Sequence, residues 1–221
     1  MNAIIFSALL GVVMMFSGII TQNKQTITRI SWAGMLLLLA VNCLHAYGTW
    51  VIKVDTHGTL HFDSIGLVFN SIVFFAAFLF LVLSGSDIEK TGIHLAEYYA
   101  LIFFVLCGVS ILTAYNGLLM LFLGIEIMTI PLYILTGADK RNLKSNEASL
   151  KYFLMGSFST GIMLMGIALV YGATGRFEVT GGSGLAPSTG LAIRPSFLEV
   201  GGLLLLFVSM CFKVSAAPFH F

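Results

Sequence analysis

The sequence predicts an all-α, polytopic transmembrane bundle of about seven helices. Three observations carry that reading. Of the 221 residues, 58% are hydrophobic and only 10% are charged, whereas an ordinary soluble domain carries about 25% charged residues. The apolar residues gather into runs of roughly 20, the length that crosses a hydrocarbon core. Lys and Arg cluster in the short connections between those runs. A net charge of +1 leaves no nucleic-acid footprint.

Taken in order, the spans fit at about 3–20, 31–52, 65–84, 96–115, 117–136, 149–172 and 198–217. The first, in MNAIIFSALLGVVMMFSGII, has no basic leader and no A-x-A-like cleavage site, so it reads as a retained span. The second carries His45 in its outer half; alone and without an acidic partner, it reads as structural. Cys43, Cys107 and Cys211 all fall in apolar runs without C-x-x-C spacing, which argues against a zinc or disulfide framework. His57, His61 and His94 fall in connections and lack metal-site spacing. In the sixth span, Ser157 and Gly161 offer a small-xxx-small face for close helix contact. The sixth connection, GRFEVTGGSGLAPSTGLAIRP, is rich in Gly, Pro and Ser; its GGSG lacks G-K-[ST] and a strand–helix frame, so it reads as a flexible connection.

Orientation follows from Lys and Arg. The odd connections hold Lys24 and Arg29, Lys90, then Lys140, Arg141 and Lys144, with Lys151 just inside the next helix; the even ones hold Lys53, Arg176 and Arg194. The N-terminus is therefore expected outside, with the odd connections cytoplasmic.

Two spans contain ionisable residues away from their ends. Glu126 lies at the middle of the fifth, and Lys213 about two-thirds through the seventh. Such a group costs about 2.5–3.5 kcal/mol at a helix centre on insertion scales, and in membranes it marks an ion path or a buried ion pair. EIMTIP and KVSAAP share a spacing: Pro131 and Pro218 each fall five residues after the charge. A proline lacks the N–H and clashes with the carbonyl four residues back. The expected result is a free carbonyl at Ile127 and at Val214, beside each charge, as in the broken helices of transporters. The alternative is an ordinary proline kink. Glu147 and Lys151 are four residues apart on one face of the sixth helix, either a surface pair or the entrance to a path. His220, seven residues after Lys213, is either a proton carrier or a hydrogen-bonded core residue.

The stretch LLMLFLGIEIMTIPLYILTGADKRNLKSNEASLKYFLMGSFSTGIMLMGIALVYGATG, with FKVSAAPFHF, resembles membrane subunit N of respiratory complex I, in the antiporter-like superfamily. The resemblance is firm over about 97–175 and 201–221. It implies a subunit of roughly fourteen spans built from inverted five-helix repeats, of which this chain is about half and ends inside a motif. It divides the chain into helices 1–3 (residues 1–95) and the start of a proton-translocating domain (residues 96–221). By resemblance, Glu126 and Lys213 are the central proton-carrying acid and lysine, and Glu147, Lys151 and His220 are accessory residues of the path. The subunit is expected to bind no flavin, iron–sulfur cluster, NADH or metal itself, and to partner the other membrane subunits of complex I in the inner (plasma) membrane. Two other readings stand beside this one: a cation/proton antiporter or membrane-hydrogenase subunit of the same superfamily, and a structural membrane scaffold.

Overall fold

The structure, a computed structural model, describes residues 1–21, 23–50, 52, 56–90, 94–178 and 196–216, with side chains left out for 85–90. Among the described residues seven helices follow one another: α1 (Asn2–Ile20), α2 (Lys24–Ala46), α3 (Ser64–Lys90), α4 (Leu95–Leu112), α5 (Leu118–Thr136), α6 (Leu143–Thr174) and α7 (Phe197–Lys213). All but α7 are long and apolar enough to cross a membrane. The chain is a multi-pass membrane protein.

The starts of α2, α6 and α7 are written by capping side chains. Asn23 Oδ1 accepts from Gln25 N at 3.1 Å and Asn142 Oδ1 accepts from Lys144 N at 3.0 Å. Each satisfies an N–H that has no partner inside the helix. These caps lie outside the apolar runs, so α2 begins at Lys24 where the hydrophobic pattern placed it near 31, and α6 begins at Leu143 where the pattern gave 149. At its far end α2 stops at Ala46, short of the expected 52, and Gly48 turns the chain with φ +70. Ser196 caps α7 by accepting from Glu199 N at 3.1 Å.

Two apolar cores divide the bundle. α1 to α4 enclose Met14, Met35, Leu38, Phe74, Tyr99 and Phe103. α5, α6 and α7 enclose Leu118, Ile125, Met163, Ile167, Val170 and Leu206. α4 joins them, packing on α1 and on α5. The α4–α5 approach is very close: a Cβ on Gly108 would stand 2.5 Å from the backbone nitrogen of Met128. At one end of the bundle the connections are tied together. His61 N donates to Ala114 O at 2.7 Å, Asn116 N to Thr59 O at 3.0 Å, and Leu118 N to Phe177 O at 2.8 Å.

α6 and α7 pack antiparallel through glycine. A Cβ on Gly166 would meet Gly202 O at 2.8 Å, and one on Gly202 would meet Gly166 O at 2.8 Å. The buried face of α6 is Gly156, Ser159, Met163, Gly166, Ile167 and Val170. The small-residue face expected at Ser157 and Gly161 is one residue out of phase: both are exposed, and a Cβ on Gly161 would meet nothing within 4 Å.

Candidate functional site

The site sits where α5, α6 and α7 converge. Glu126 lies eight residues from the start of α5 and ten from its end, so its carboxylate is at the middle of a helix that spans the core. α5 runs through Pro131, which is buried, and ends at Thr136. On α6, Thr160 faces both neighbours. Its Oγ1–H has two acceptors at 2.8 Å, Glu126 Oε1 and its own helix's Gly156 O. From α7, Lys213 Nζ donates to Thr160 Oγ1 at 3.3 Å and to the Tyr133 hydroxyl at 3.4 Å. Glu126 and Lys213 are thus brought together, but through Thr160. Among the described residues no direct ion pair joins them.

Lys213 occupies a special place in its helix. It is expected two-thirds along a span reaching 217; instead it is the last residue of α7. Ser215 N donates to Phe212 O at 3.1 Å and Ala216 N to Cys211 O at 2.9 Å, with Ser215 at φ +54. That is a Schellman motif, which occupies carbonyls the helix end would otherwise leave bare. The stop therefore comes before the proline is reached. The α6–α7 register pairs Ser209 with Ser159, whose hydroxyls and carbonyls exchange hydrogen bonds at 2.9–3.2 Å. One further turn puts the end of α7 opposite about residue 155 of α6, some 18 Å short of the start of α6 at 1.5 Å per residue. Irregular backbone at that depth needs protein or a wet cavity around it.

Gly156 makes room for this arrangement. A Cβ there would come within 2.1 Å of the Tyr133 hydroxyl. The Tyr133 ring is held edge-on by Tyr152 (centroids 4.7 Å apart) and Phe153 (5.9 Å), and Tyr133 is 6% exposed. Its hydroxyl is consequently fixed where Lys213 can donate to it.

The other expected site residues stand apart. Glu147 and Lys151 pair with each other, carboxylate to ammonium, with both side chains exposed near the start of α6. Pro218 and His220 lie outside the described residues; Val214, whose carbonyl was expected to be freed by Pro218, is the C-cap of α7. His45 is buried at the end of α2, its ring 5.6 Å from that of Phe62. Three residues of the site were not singled out in the sequence: Thr160, Tyr133 and Gly156. Tyr133 had a signal, since it follows Glu126 by seven residues and so shares its face. Thr160 had none beyond polarity.

The residues 114–221 match the family model described as NADH:quinone oxidoreductase/Mrp antiporter, transmembrane. The NADH-quinone oxidoreductase subunit N of Cytophaga hutchinsonii is 38% identical over 221 residues, covering all of this chain and 46% of that protein. The chain spans about half the length of the curated relatives it matches. Among solved structures, respiratory complex I from Thermus thermophilus with bound aureothin aligns at TM-score 0.75 and 28% identity, over 99% of this chain and 45% of that one. The membrane-bound sulfane sulfur reductase, an archaeal respiratory membrane complex, aligns at TM-score 0.78 and 21% identity, over 99% and 45%, and shares the fold.

Proposed function

Since the chain belongs to the membrane family of NADH:quinone oxidoreductase and Mrp antiporter subunits, we propose that it moves protons across the bilayer as part of a complex I membrane arm. The observation that supports this most is the chain Glu126–Thr160–Lys213, an acid and a base at membrane depth joined by one hydroxyl at a helix end. A charged acid and a charged base are each costly in hydrocarbon, and each offsets part of the other's cost. A small movement of α7 against α5 makes or breaks this link, and with it the route of a proton between Lys213 and Glu126.

In this reading helices α4 to α7 open the translocating domain. NADH, flavin, iron–sulfur clusters and quinone are bound by other subunits, and quinone reduction there drives the movement. The basic connection 137–142 faces the cytoplasm and the N-terminus faces out, in the plasma membrane. Glu147 and Lys151 form the entrance, at the end of α6 nearest that connection.

The test is a set of three variants in the intact complex: Glu126→Gln, Lys213→Met and both together. Assembly, quinone-reductase turnover and proton uptake are measured in membranes. All three are expected to assemble and to take up protons poorly, because no titrating pair remains. A static ion pair predicts the opposite for the double variant, since replacing both partners by uncharged groups removes the desolvation cost as well. A double variant that takes up protons like wild type refutes the proposal.

A further inference from the structure

We infer that Thr160 is the proton relay between Lys213 and Glu126, and that its hydroxyl acts as a rotating gate. The inference rests on the reading of the site as a proton path. Its own evidence is hydrogen-bond bookkeeping. A threonine hydroxyl has one hydrogen to give and lone pairs to receive. Thr160 Oγ1 receives from Lys213 Nζ at 3.3 Å, and has two acceptors for its one hydrogen, Glu126 Oε1 and Gly156 O, both at 2.8 Å. Its one hydrogen can make a full, linear bond to only one of these at a time.

The transfer balances without any further reactant. Lys213 gives one ammonium proton to Thr160 Oγ1 as Thr160 gives its own hydroxyl proton to the Glu126 carboxylate. One N–H and one O–H bond break, and two O–H bonds form. A cationic lysine and an anionic glutamate become a neutral amine and a neutral acid, and Thr160 is a neutral hydroxyl before and after. While Glu126 is ionised, the charge-assisted bond holds the hydroxyl toward it. Once Glu126 has taken the proton that advantage is gone, and the hydroxyl turns to Gly156 O, where it opens the chain. The return turn needs Glu126 to have lost its proton elsewhere. The single hydrogen thus separates loading from release, and Gly156 supplies the resting acceptor while its missing Cβ leaves space for Tyr133.

The experiment uses the intact complex with Thr160→Val, which keeps the branched shape and removes the hydroxyl, and Thr160→Ser, which keeps the hydroxyl. Glu126→Gln and Lys213→Met are run beside them. Thr160→Val is expected to assemble and to lower proton uptake per quinone turned over by about tenfold or more, in the range of a lost proton-transfer group. Thr160→Ser is expected to stay within about twofold of wild type, and adding Glu126→Gln to Thr160→Val is expected to cost little more. Thr160→Ala is read in the same way should the valine variant not assemble. Wild-type uptake in Thr160→Val, with Glu126→Gln and Lys213→Met impaired, overturns the relay and leaves the proton path standing. Equal loss in the serine and valine variants also overturns it, assigning Thr160 to packing. Normal uptake in Glu126→Gln and Lys213→Met overturns the underlying reading instead.

Discussion

Replacing Gly156 by alanine adds one methyl group at the tightest point of the site. The new Cβ would lie 2.1 Å from the Tyr133 hydroxyl, where real Cβ contacts below 3.0 Å are essentially never seen. At least about 0.9 Å must therefore be cleared. Tyr133 cannot simply swing aside, because Tyr152 and Phe153 hold its ring from the side. Either the ring shifts as a unit or α6 backs away from α5. Both moves break the 3.4 Å bond from Lys213, which is already near the limit of a hydrogen bond. The packing cost is about 1–3 kcal/mol, as for other overpacked sites. The functional cost is larger, since a misplacement of about 1 Å near reacting groups can lower a rate about 10²-fold. Gly161→Ala, on the same helix, is the control: its Cβ meets nothing within 4 Å, and in a helix alanine replaces glycine with a gain of roughly 0.5–1 kcal/mol. Proton uptake and quinone-reductase turnover are measured for both in assembled complex, with thermal unfolding in detergent. Gly156→Ala is expected to uncouple uptake from turnover and Gly161→Ala to leave both unchanged. If Gly156→Ala assembles and takes up protons like wild type, the close packing of Tyr133 against α6 has no part in the mechanism.

Gly166→Val places a branched side chain against the α7 backbone, where even a Cβ would be 2.8 Å from Gly202 O; the α6–α7 pair is expected to lose about 1–3 kcal/mol, read as a lower midpoint of thermal unfolding, and an unchanged midpoint would contradict the glycine-mediated contact. Arg141→Cys puts a thiol on the exposed connection between α5 and α6; an impermeant thiol reagent is expected to label it from the cytoplasmic side only, and labelling of intact cells from outside would reverse the orientation.

The seven helices were legible in the sequence because lipid leaves so few alternatives: a run of about 20 apolar residues has to be helical. Their ends were less legible, for a physical reason. Hydrophobicity marks where a helix meets lipid, whereas Asn23 and Asn142 mark where its hydrogen bonds begin, several residues earlier. The end of α7 was hidden altogether. VSAAP continues the apolar pattern, and nothing in it announces that Ser215 adopts a left-handed conformation. Glu126 and Lys213 stood out because charge in lipid is costly. Thr160 did not, because a threonine in a membrane helix commonly bonds its own backbone, as this one also does to Gly156 O. Its second bond, to Glu126, depends on how α6 is rotated, and that rotation is set by Gly166 against Gly202 one contact further along. The one-residue error between Ser157/Gly161 and Gly156/Thr160 is an error in the same rotation.

Because Thr160 touches both Glu126 and Lys213, their charged ends lie within about 6 Å of each other, the sum of its two bonds. A hydrocarbon core is about 30 Å thick, so on the proposed path a proton passing between them covers at most about a fifth of the drop in a transmembrane voltage. Arrival from one face and departure to the other cover the rest. With Glu126 near the middle of α5, each of those legs spans roughly half the field, worth about 1.1 kcal/mol per 100 mV. The membrane potential therefore acts on how full the site is, and hardly at all on the exchange inside it. On that proposed path, an energised membrane opposes the loading and emptying of this centre while leaving its internal exchange almost untouched.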